Sequence, residues 1–371
     1  MNERRALNLY AGAGGWEQGM PGVTINGVEI MAEANAAAAA AGWRHVGGDV
    51  WDFEPPGRGE YGGLIASPPC QTFSVAGKGA GRAALSSILR ALNYGEWRRK
   101  AWLRSFADSM GDDRSAHVLM PLHYAYAMRP AWVALEQVPT VLPVWDGIAH
   151  HLRGMGYVCW SGILNSEQFG VPQTRKRAVL IAGRCLDIRP PEPTHSAYHV
   201  KDPTRLDPGV PPWVSMADAL GLDDAALIGF PRRLDPGRVG VDIGGVAYRE
   251  RDLRAAQVIT EKARSWVIMG DVRARNGTVR RLDQPAPTIT ASADNGNFAF
   301  ARLDPTIRTN TAARPNLDGT HVVRLSLEQA SRLQSFPPAY PWAGSRTARF
   351  AQIGNAIPPL LAGAIGRAVG L

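Results

Sequence analysis

Short apolar runs alternate with helix-like stretches through the first half of the chain, and this alternation limits the fold more than any other feature. LNLY (7–10), VEIMAE (28–33), GGLIAS (62–67), AWVALE (131–136), GYVCWSGIL (156–164) and RAVLIAG (177–183) have the length and composition of buried strands. HVLMPLHYAYAMRP (117–130), VWDGIAHHLRGMG (144–156) and the alanine-rich tract from Ala34 to Ala41 have the pattern of helices between them. Such an alternation predicts a doubly wound α/β sheet. Past Arg184 the texture changes to Pro, Gly, Arg and Asp with little periodicity, as in PPEPTHSAYHVKDPTRLDPGVPPW, which predicts a smaller, irregular, mostly β domain. Order returns near Val322 with the helix pattern SLEQASRL (326–333). The expected organisation is a catalytic, cofactor-binding domain over 1–185, a second domain over 186–322, and a segment over 323–371 that returns to the first.

A chain of 371 residues, 45% hydrophobic and 20% charged, can bury the cores of two globular domains. The N-terminal residues MNERRALNLYAGAGG hold no apolar leader, and no run is long enough to span a bilayer. Three cysteines, Cys70, Cys159 and Cys185, show no CxxC spacing. The expectation is a cytoplasmic, reduced protein without structural zinc or another metal. The formal net charge is +8 and the isoelectric point about 9.7. That excess suits a polyanionic partner, or reflects arginine in place of lysine throughout. Its distribution is more pointed: Lys78, Arg82, Arg90, Arg98, Arg99, Lys100 and Arg104 face a single acid, Glu96, in one segment.

Four stretches carry chemistry. LNLYAGAGGWEQGM puts Gly12, Gly14 and Gly15 between the first strand and a helix, where a glycine turn lets backbone approach a ligand closely or simply closes the turn. Glu33 ends the second strand candidate, where a carboxylate can take ribose hydroxyls, and Asp49 in HVGGDV is placed for an adenine amino group; either could instead be a solvated loop acid. ASPPCQTFS holds Cys70 behind Pro68 and Pro69, two residues that stiffen the turn after strand GGLIAS. The thiol is a nucleophile there, or inert packing. Glu136 ends strand AWVALE, either as a functional carboxyl in a cleft or as an edge acid in water. In VPQTRKRAVLIAG, the alternation of Gln173, Arg175 and Arg177 with Thr174 and Lys176 would put the first three on one face of an extended chain.

In order, these pieces resemble the DNA (cytosine-5) methyltransferase family. LYAGAGG resembles its first cofactor motif, SPPCQTFS its Pro-Cys motif, ALEQV its Glu-Asn-Val motif and QTRKR its Gln-x-Arg-x-Arg motif. RLDQPAPTIT (281–290) resembles the ninth motif, and RLSLEQASRLQSFP with FAQIGNAIPPLLA the C-terminal signature. The resemblance implies a Rossmann-like S-adenosyl-L-methionine-dependent catalytic sheet and a target-recognition domain over the uncovered stretch. It implies double-stranded DNA as partner, with the enzyme acting as a monomer. Cys70 would add to C6 of a flipped-out cytosine while Glu136 engages N3, Arg175 holds the cytosine edge and Arg177 orients Glu136. Cofactor contacts would come from Tyr10, Ala11, Gly12, Gly14, Gly15, Glu33, Asp49, Pro69, Asn355 and Ile357. DNA contacts would come from Gln71, Ser74, Lys78, Gln173 and Arg281. The sequence departs from the family at Asn8, where an acid is usual, at Gln137, in place of Asn, and at Ala34, where a large apolar residue often follows the acid. The interval after Cys70 is also longer than usual, with a basic insertion over about 78–111. The insertion is expected either to close over DNA through Arg98, Arg99 and Arg104 or to form an exposed amphipathic helix. A tRNA-modifying enzyme of the same family, a catalytically silent DNA-binding relative and transfer of another group at C5 stay open, as does pairing with a restriction enzyme.

Overall fold

The structure is a computed structural model that describes residues 3–69, 80–110, 113–221, 241–243, 246–248, 266–270, 278–281, 283–290, 298–302 and 322–371. Two compact units divide the chain: Met1–Asn165, Lys176–Glu192 and Ile357–Leu371 form the first, Ser166–Arg175 and Pro193–Ala356 the second. The segment expected to return as one piece from residue 323 is shared between them, with helices Leu327–Leu333 and Arg346–Asn355 in the second and Ile357–Leu371 in the first.

The first unit is a seven-stranded mixed sheet in the order β3-β2-β1-β4-β5-β7-β6. Its strands are β1 (Arg5–Leu9), β2 (Thr24–Val28), β3 (Arg44–Gly47), β4 (Gly63–Ala66), β5 (Trp132–Gln137), β6 (Val158–Asn165) and β7 (Lys176–Gly183). Neighbours β3, β2, β1, β4 and β5 run parallel, and β7 is antiparallel to both β5 and β6. Five of the six apolar runs hold strands; the run at 28–33 shares only Val28 with β2, and its Ala32 and Glu33 lie in helix Ala32–Ala40. The edge strand β3 escapes the apolar pattern because RHVG contributes one large apolar side chain and is only half-buried. The order reverses between β1 and β4, and in open α/β sheets that switch point opens a crevice beyond the carboxyl ends of the strands.

Helices α1 (Gly15–Gly19), α2 (Ala32–Ala40), α3 (Ala80–Tyr94), α4 (Lys100–Ser109), α5 (Met120–Met128) and α6 (Leu142–Gly154) accompany the sheet. The insertion after Cys70 is part of the folded domain. Its apolar residues recur at helical spacing, Ile88, Ala91 and Leu92 in α3, Leu103 and Ala107 in α4, with Trp97 between them. These pack in one core with Leu7, Leu64, Val133, Leu135, Trp145 and Leu180. Helix α1 packs against helix Pro359–Ala368, where a Cβ on Gly363 would lie 2.8 Å from the Gly19 carbonyl oxygen.

The second unit holds short antiparallel strands: β8 (Val241–Ile243) with β9 (Val246–Tyr248), and a sheet β11-β10-β12-β13 built from Trp266–Gly270 (β10), Thr278–Arg281 (β11), Phe298–Arg302 (β12) and Val322–Arg324 (β13). Helix Leu327–Leu333 starts on a capping box of Ser326 and Gln329, as the Ser-Leu-Glu-Gln spacing dictates.

Candidate active site

The carboxyl ends of β1, β2, β4 and β5 bring the candidate residues of the first unit to one edge of the sheet. After β1 the chain turns sharply, with Tyr10, Gly12 and Gly14 all at positive φ (60°, 61° and 102°). Tyr10 carries a Cβ, so this conformation costs energy and has to be held by its surroundings. Its hydroxyl lies 2.8 Å from Nδ1 of His117, and the Trp51 indole donates to Nε2 of the same ring at 3.2 Å. Indole N–H is only a donor, so Nε2 is the accepting nitrogen and the His117 proton sits on Nδ1. Burial raises the Tyr10 pKa well above its ordinary value. Gly15 is required by a close approach: a Cβ there would lie 2.5 Å from the Ile357 carbonyl oxygen. Ile357 itself is buried, so it sits directly behind the turn. Ala11 is buried within the turn and donates its N–H to the Val28 carbonyl.

The acid at the end of β2 is Glu29, which corrects the expectation of Glu33. The strand stops at Val28, and α2 begins at Ala32 with Glu33 exposed in its first turn. The alanine run takes that segment into helix, and a carboxylate beside a helix N-terminus is favourable there. Glu29 is 8% exposed and accepts two backbone N–H groups, from Gly12 and from Met31, both at 2.8 Å. It therefore ties the glycine turn to the end of β2. Beside Glu29, Ile30 is a large apolar side chain that is 68% exposed, whereas Ala34 is buried in α2. The signal was the first acid after a five-residue strand, spaced 17 residues from Gly12. Asp49 is half-buried in the loop after β3, with Oδ1 accepting the Trp51 N–H at 2.8 Å.

Beneath the turn, Asn8 donates to the Glu17 carboxyl at 2.8 Å. Glu17 is 3% exposed, and burial raises its pKa to about 7. Asn8 thus occupies the usual acid position on β1, while a buried carboxyl faces it from α1.

Across the switch point, Ser67 follows β4 and accepts the Trp16 indole N–H at 3.0 Å. The buried Pro68 carbonyl accepts the Gln137 amide, whose own oxygen takes the Val138 N–H at 2.5 Å. Gln137 thereby latches the Pro68–Pro69 turn to the end of β5. Cys70, Gln71, Ser74 and Lys78 lie outside the described residues. Glu136 is 4% exposed, and its Oε1 receives the Arg177 Nε at 2.7 Å. The β5–β7 register sets this pair, since Glu136 lies opposite Val179.

Gln173 and Arg175 do not share a face with Arg177. Strand β7 begins only at Lys176, and Gln173 bridges instead to Ala286 in the second unit. Gln173 is fully buried, donates to Leu333 O and Gln334 Oε1, and accepts the Ile289 N–H, so the expected DNA contact is corrected to a packing role. Arg175, 1% exposed, donates to the carbonyls of Ile289, Gly354 and Ala356. Ile289 lies in a loop, Gly354 in the last turn of its helix and Ala356 just past it, so the guanidinium is spent on backbone carbonyls, which replaces the expected hold on a cytosine edge. Asn355 ends its helix exposed, and Arg281 ends β11 opposite Val267.

In the insertion, Arg98 lies over the Trp97 ring at 4.4 Å, Arg99 pairs with Glu96 at 2.8 Å, and Arg104 reaches Asp52 at 3.9 Å and the Trp51 ring. The expectation that they close over DNA meets helices docked on their own domain. Lys100, named in the sequence only as part of the basic run, anchors them by donating to Phe53 O and to Glu54 at 2.8 Å.

A glycine turn and an anchored acid flanking the switch point of a mixed seven-stranded sheet define the class as an S-adenosylmethionine-dependent methyltransferase fold. The fold is shared with the Entamoeba histolytica methyltransferase EhMeth, at a TM-score of 0.57 and 13% identity, covering 98% of this chain and 97% of that one. The chain belongs to the C-5 cytosine-specific DNA methylase family, whose sequence profile matches residues 110–208 and 246–370. It is similar to the type II methyltransferase M1.HphI of Haemophilus parahaemolyticus, 26% identical over 82% of this chain and 67% of that protein. It is also similar to the type II methyltransferase M.NgoFVII of Neisseria gonorrhoeae, 24% identical over 96% of this chain and 84% of that protein. Among the described residues no helix is long and apolar enough to cross a membrane.

Proposed function

We propose that the protein transfers a methyl group from S-adenosylmethionine to C5 of cytosine in duplex DNA. The observation that carries this reading is the buried Glu136–Arg177 pair at the end of β5, beside the latched Pro68–Pro69 turn that leads into Cys70.

The residues at the switch point fit the cofactor. The Gly12–Gly15 turn has no side chains to obstruct a ligand at three of its four positions, Glu29 is held with its carboxylate at the strand end, and Ile30 offers an exposed apolar face beside it. Glu29 would take the ribose hydroxyls, Ile30 the adenine face and Asp49 the adenine amino group, with Tyr10 and Pro69 completing the site. When bound, the cofactor supplies the methyl group as an electrophile.

The rest of the chemistry belongs to the chain. Cytosine C5 is a weak nucleophile. The Cys70 thiolate adds to C6, and Glu136 shares a proton with N3, so the ring's electron density moves to C5. Arg177 holds the Glu136 carboxyl in one orientation, and the Gln137 latch keeps the Cys70 turn beside it. After transfer a base takes the C5 proton, the C5–C6 double bond re-forms, and the Cys70 sulfur leaves with its electron pair. None of these atoms is reachable inside a duplex, so the base must be flipped into the pocket. The second unit, with its short strands, would read the flanking sequence.

The test incubates the protein and labelled S-adenosylmethionine with duplex DNA and separately with tRNA, then maps the modified positions. Label at cytosine C5 in duplex DNA is expected, and Cys70→Ser should abolish it while leaving the melting profile intact. Label in tRNA alone, or an active Cys70→Ser variant, would overturn the reading.

A further inference from the structure

The edge of the sheet opposite the candidate active site carries a second charged feature. Strands β4 and β5 begin at this edge, and the antiparallel β7 ends there, with Trp132 paired to Gly183. Arg58 precedes β4, Arg129 precedes β5, and Arg184 follows β7. These three, with Gly59, line an open cleft of about 460 Å³. The six residues of β5 separate the cleft from Glu136 by roughly 20 Å, at about 3.3 Å per residue.

The arginines are pre-placed. Arg129 has left-handed backbone (φ 51°), donates its N–H to Ala125 O, and lies over the Tyr126 ring at 5.2 Å. Arg184 donates its N–H to Ala131 O and stands 6.0 Å from the Tyr157 ring centre. Burial raises the Tyr157 phenol to about 12, and the fields of Arg184 and Arg129 both pull it back down, so the two cations act on one place. Among the described residues none of the three arginines forms an ion pair, although Glu60 lies two residues from Arg58. Three uncompensated guanidinium groups around one cleft attract an anion, and their forked donors match phosphate oxygens.

We propose that this cleft is a second phosphate-binding site, taking the backbone of a duplex segment remote from the target base. The proposal rests on duplex DNA being the substrate, as argued above. The lining favours a phosphodiester backbone over a free nucleotide. Among the described residues its lining holds no aromatic side chain to stack a base and no carboxylate for a ribose. A protein gripping DNA at both edges of the sheet would hold two segments at once.

The full-length protein is mixed with donor- and acceptor-labelled short duplexes at low salt, and energy transfer between them reports bridging. Wild type is expected to bridge, and Arg58→Gln/Arg184→Gln to lose bridging while methylating a single short duplex at the wild-type rate. Both replaced side chains are exposed, so melting should be unchanged. The salt slope of bridging should fall by about two, near 0.9 for each phosphate contact removed. Arg58→Lys/Arg184→Lys should restore it in part. Absence of bridging in wild type, or unchanged bridging in the Gln variant, would overturn the site. Saturable binding of inorganic phosphate without bridging would assign the cleft to the free ion and overturn the duplex proposal. Failure of wild type to methylate any duplex would instead reject the function proposed above, whatever the bridging result.

Discussion

Replacing Glu17 with glutamine should remove a defined pH dependence of stability. Glu17 is 3% exposed beneath the glycine turn, accepts one hydrogen bond from Asn8, and has a second oxygen buried without a partner among the described residues. Burial therefore dominates and raises its pKa from 4.5 to about 7. The folded protein holds this proton more tightly than the unfolded chain. Its stabilising effect is complete below about pH 4.5 and is lost as pH rises through about 7. At 1.36 kcal/mol per pH unit the full loss is about 3 kcal/mol. The glutamine side chain keeps the acceptor and the volume but never ionises. Urea unfolding of both proteins across this range cancels every other titrating group in the difference. The variant should match wild type within about 1 kcal/mol at the acid end, the scale of one neutral hydrogen bond. It should exceed wild type by about 3 kcal/mol at pH 8, shifting the midpoint by roughly 1 M urea. A flat difference curve would refute the buried, proton-holding Glu17.

Other expectations follow from the same edge of the sheet. Glu29→Gln should weaken S-adenosylmethionine binding in calorimetry about tenfold or more, the worth of one charge-assisted hydrogen bond of about 1.5–3 kcal/mol, whereas Glu33→Gln should leave it unchanged. Equal effects of the two would remove Glu29 from the cofactor site. Gly15→Ala drives a Cβ against the Ile357 carbonyl and should cost about 1–3 kcal/mol in urea unfolding. Gly48→Ala, which meets nothing within 4 Å, is the control. Gln137→Ala frees the Pro68 carbonyl and should lower kcat up to about tenfold, from a neutral bond of about 0.5–1.5 kcal/mol, without changing cofactor affinity. An unchanged kcat would mean that the latch does not position the Cys70 turn.

Much of the catalytic sheet was legible in the sequence because a buried parallel strand must be apolar throughout and its turns must carry Gly or Pro. That local rule located β1, β4, β5, β6 and β7, the Gly12–Gly15 turn, the Pro68–Pro69 turn and Glu136, and set the second strand too late, at 28–33 instead of Thr24–Val28. It misplaced the strand-end acid by four residues, because the boundary between β2 and α2 is set by whether Glu29 can tie Gly12 and Met31, a contact between distant segments. The alternation of Gln173, Arg175 and Arg177 looked like one extended face, but the backbone carbonyls of residues 289, 354 and 356 capture Arg175. The basic insertion read as a DNA-closing segment or an exposed amphipathic helix because its charge is visible in the sequence. The core that Ile88, Trp97 and Leu103 complete is assembled from strands and helices far away in the chain. Chain-local chemistry, set by residue type and short spacing, was therefore determined by the sequence itself. Which carboxylate ties the glycine turn, which arginines are spent on backbone, and which converge at Arg58, Arg129 and Arg184 without an ion pair among the described residues were decided only by the tertiary structure, which brings distant partners within hydrogen-bonding distance.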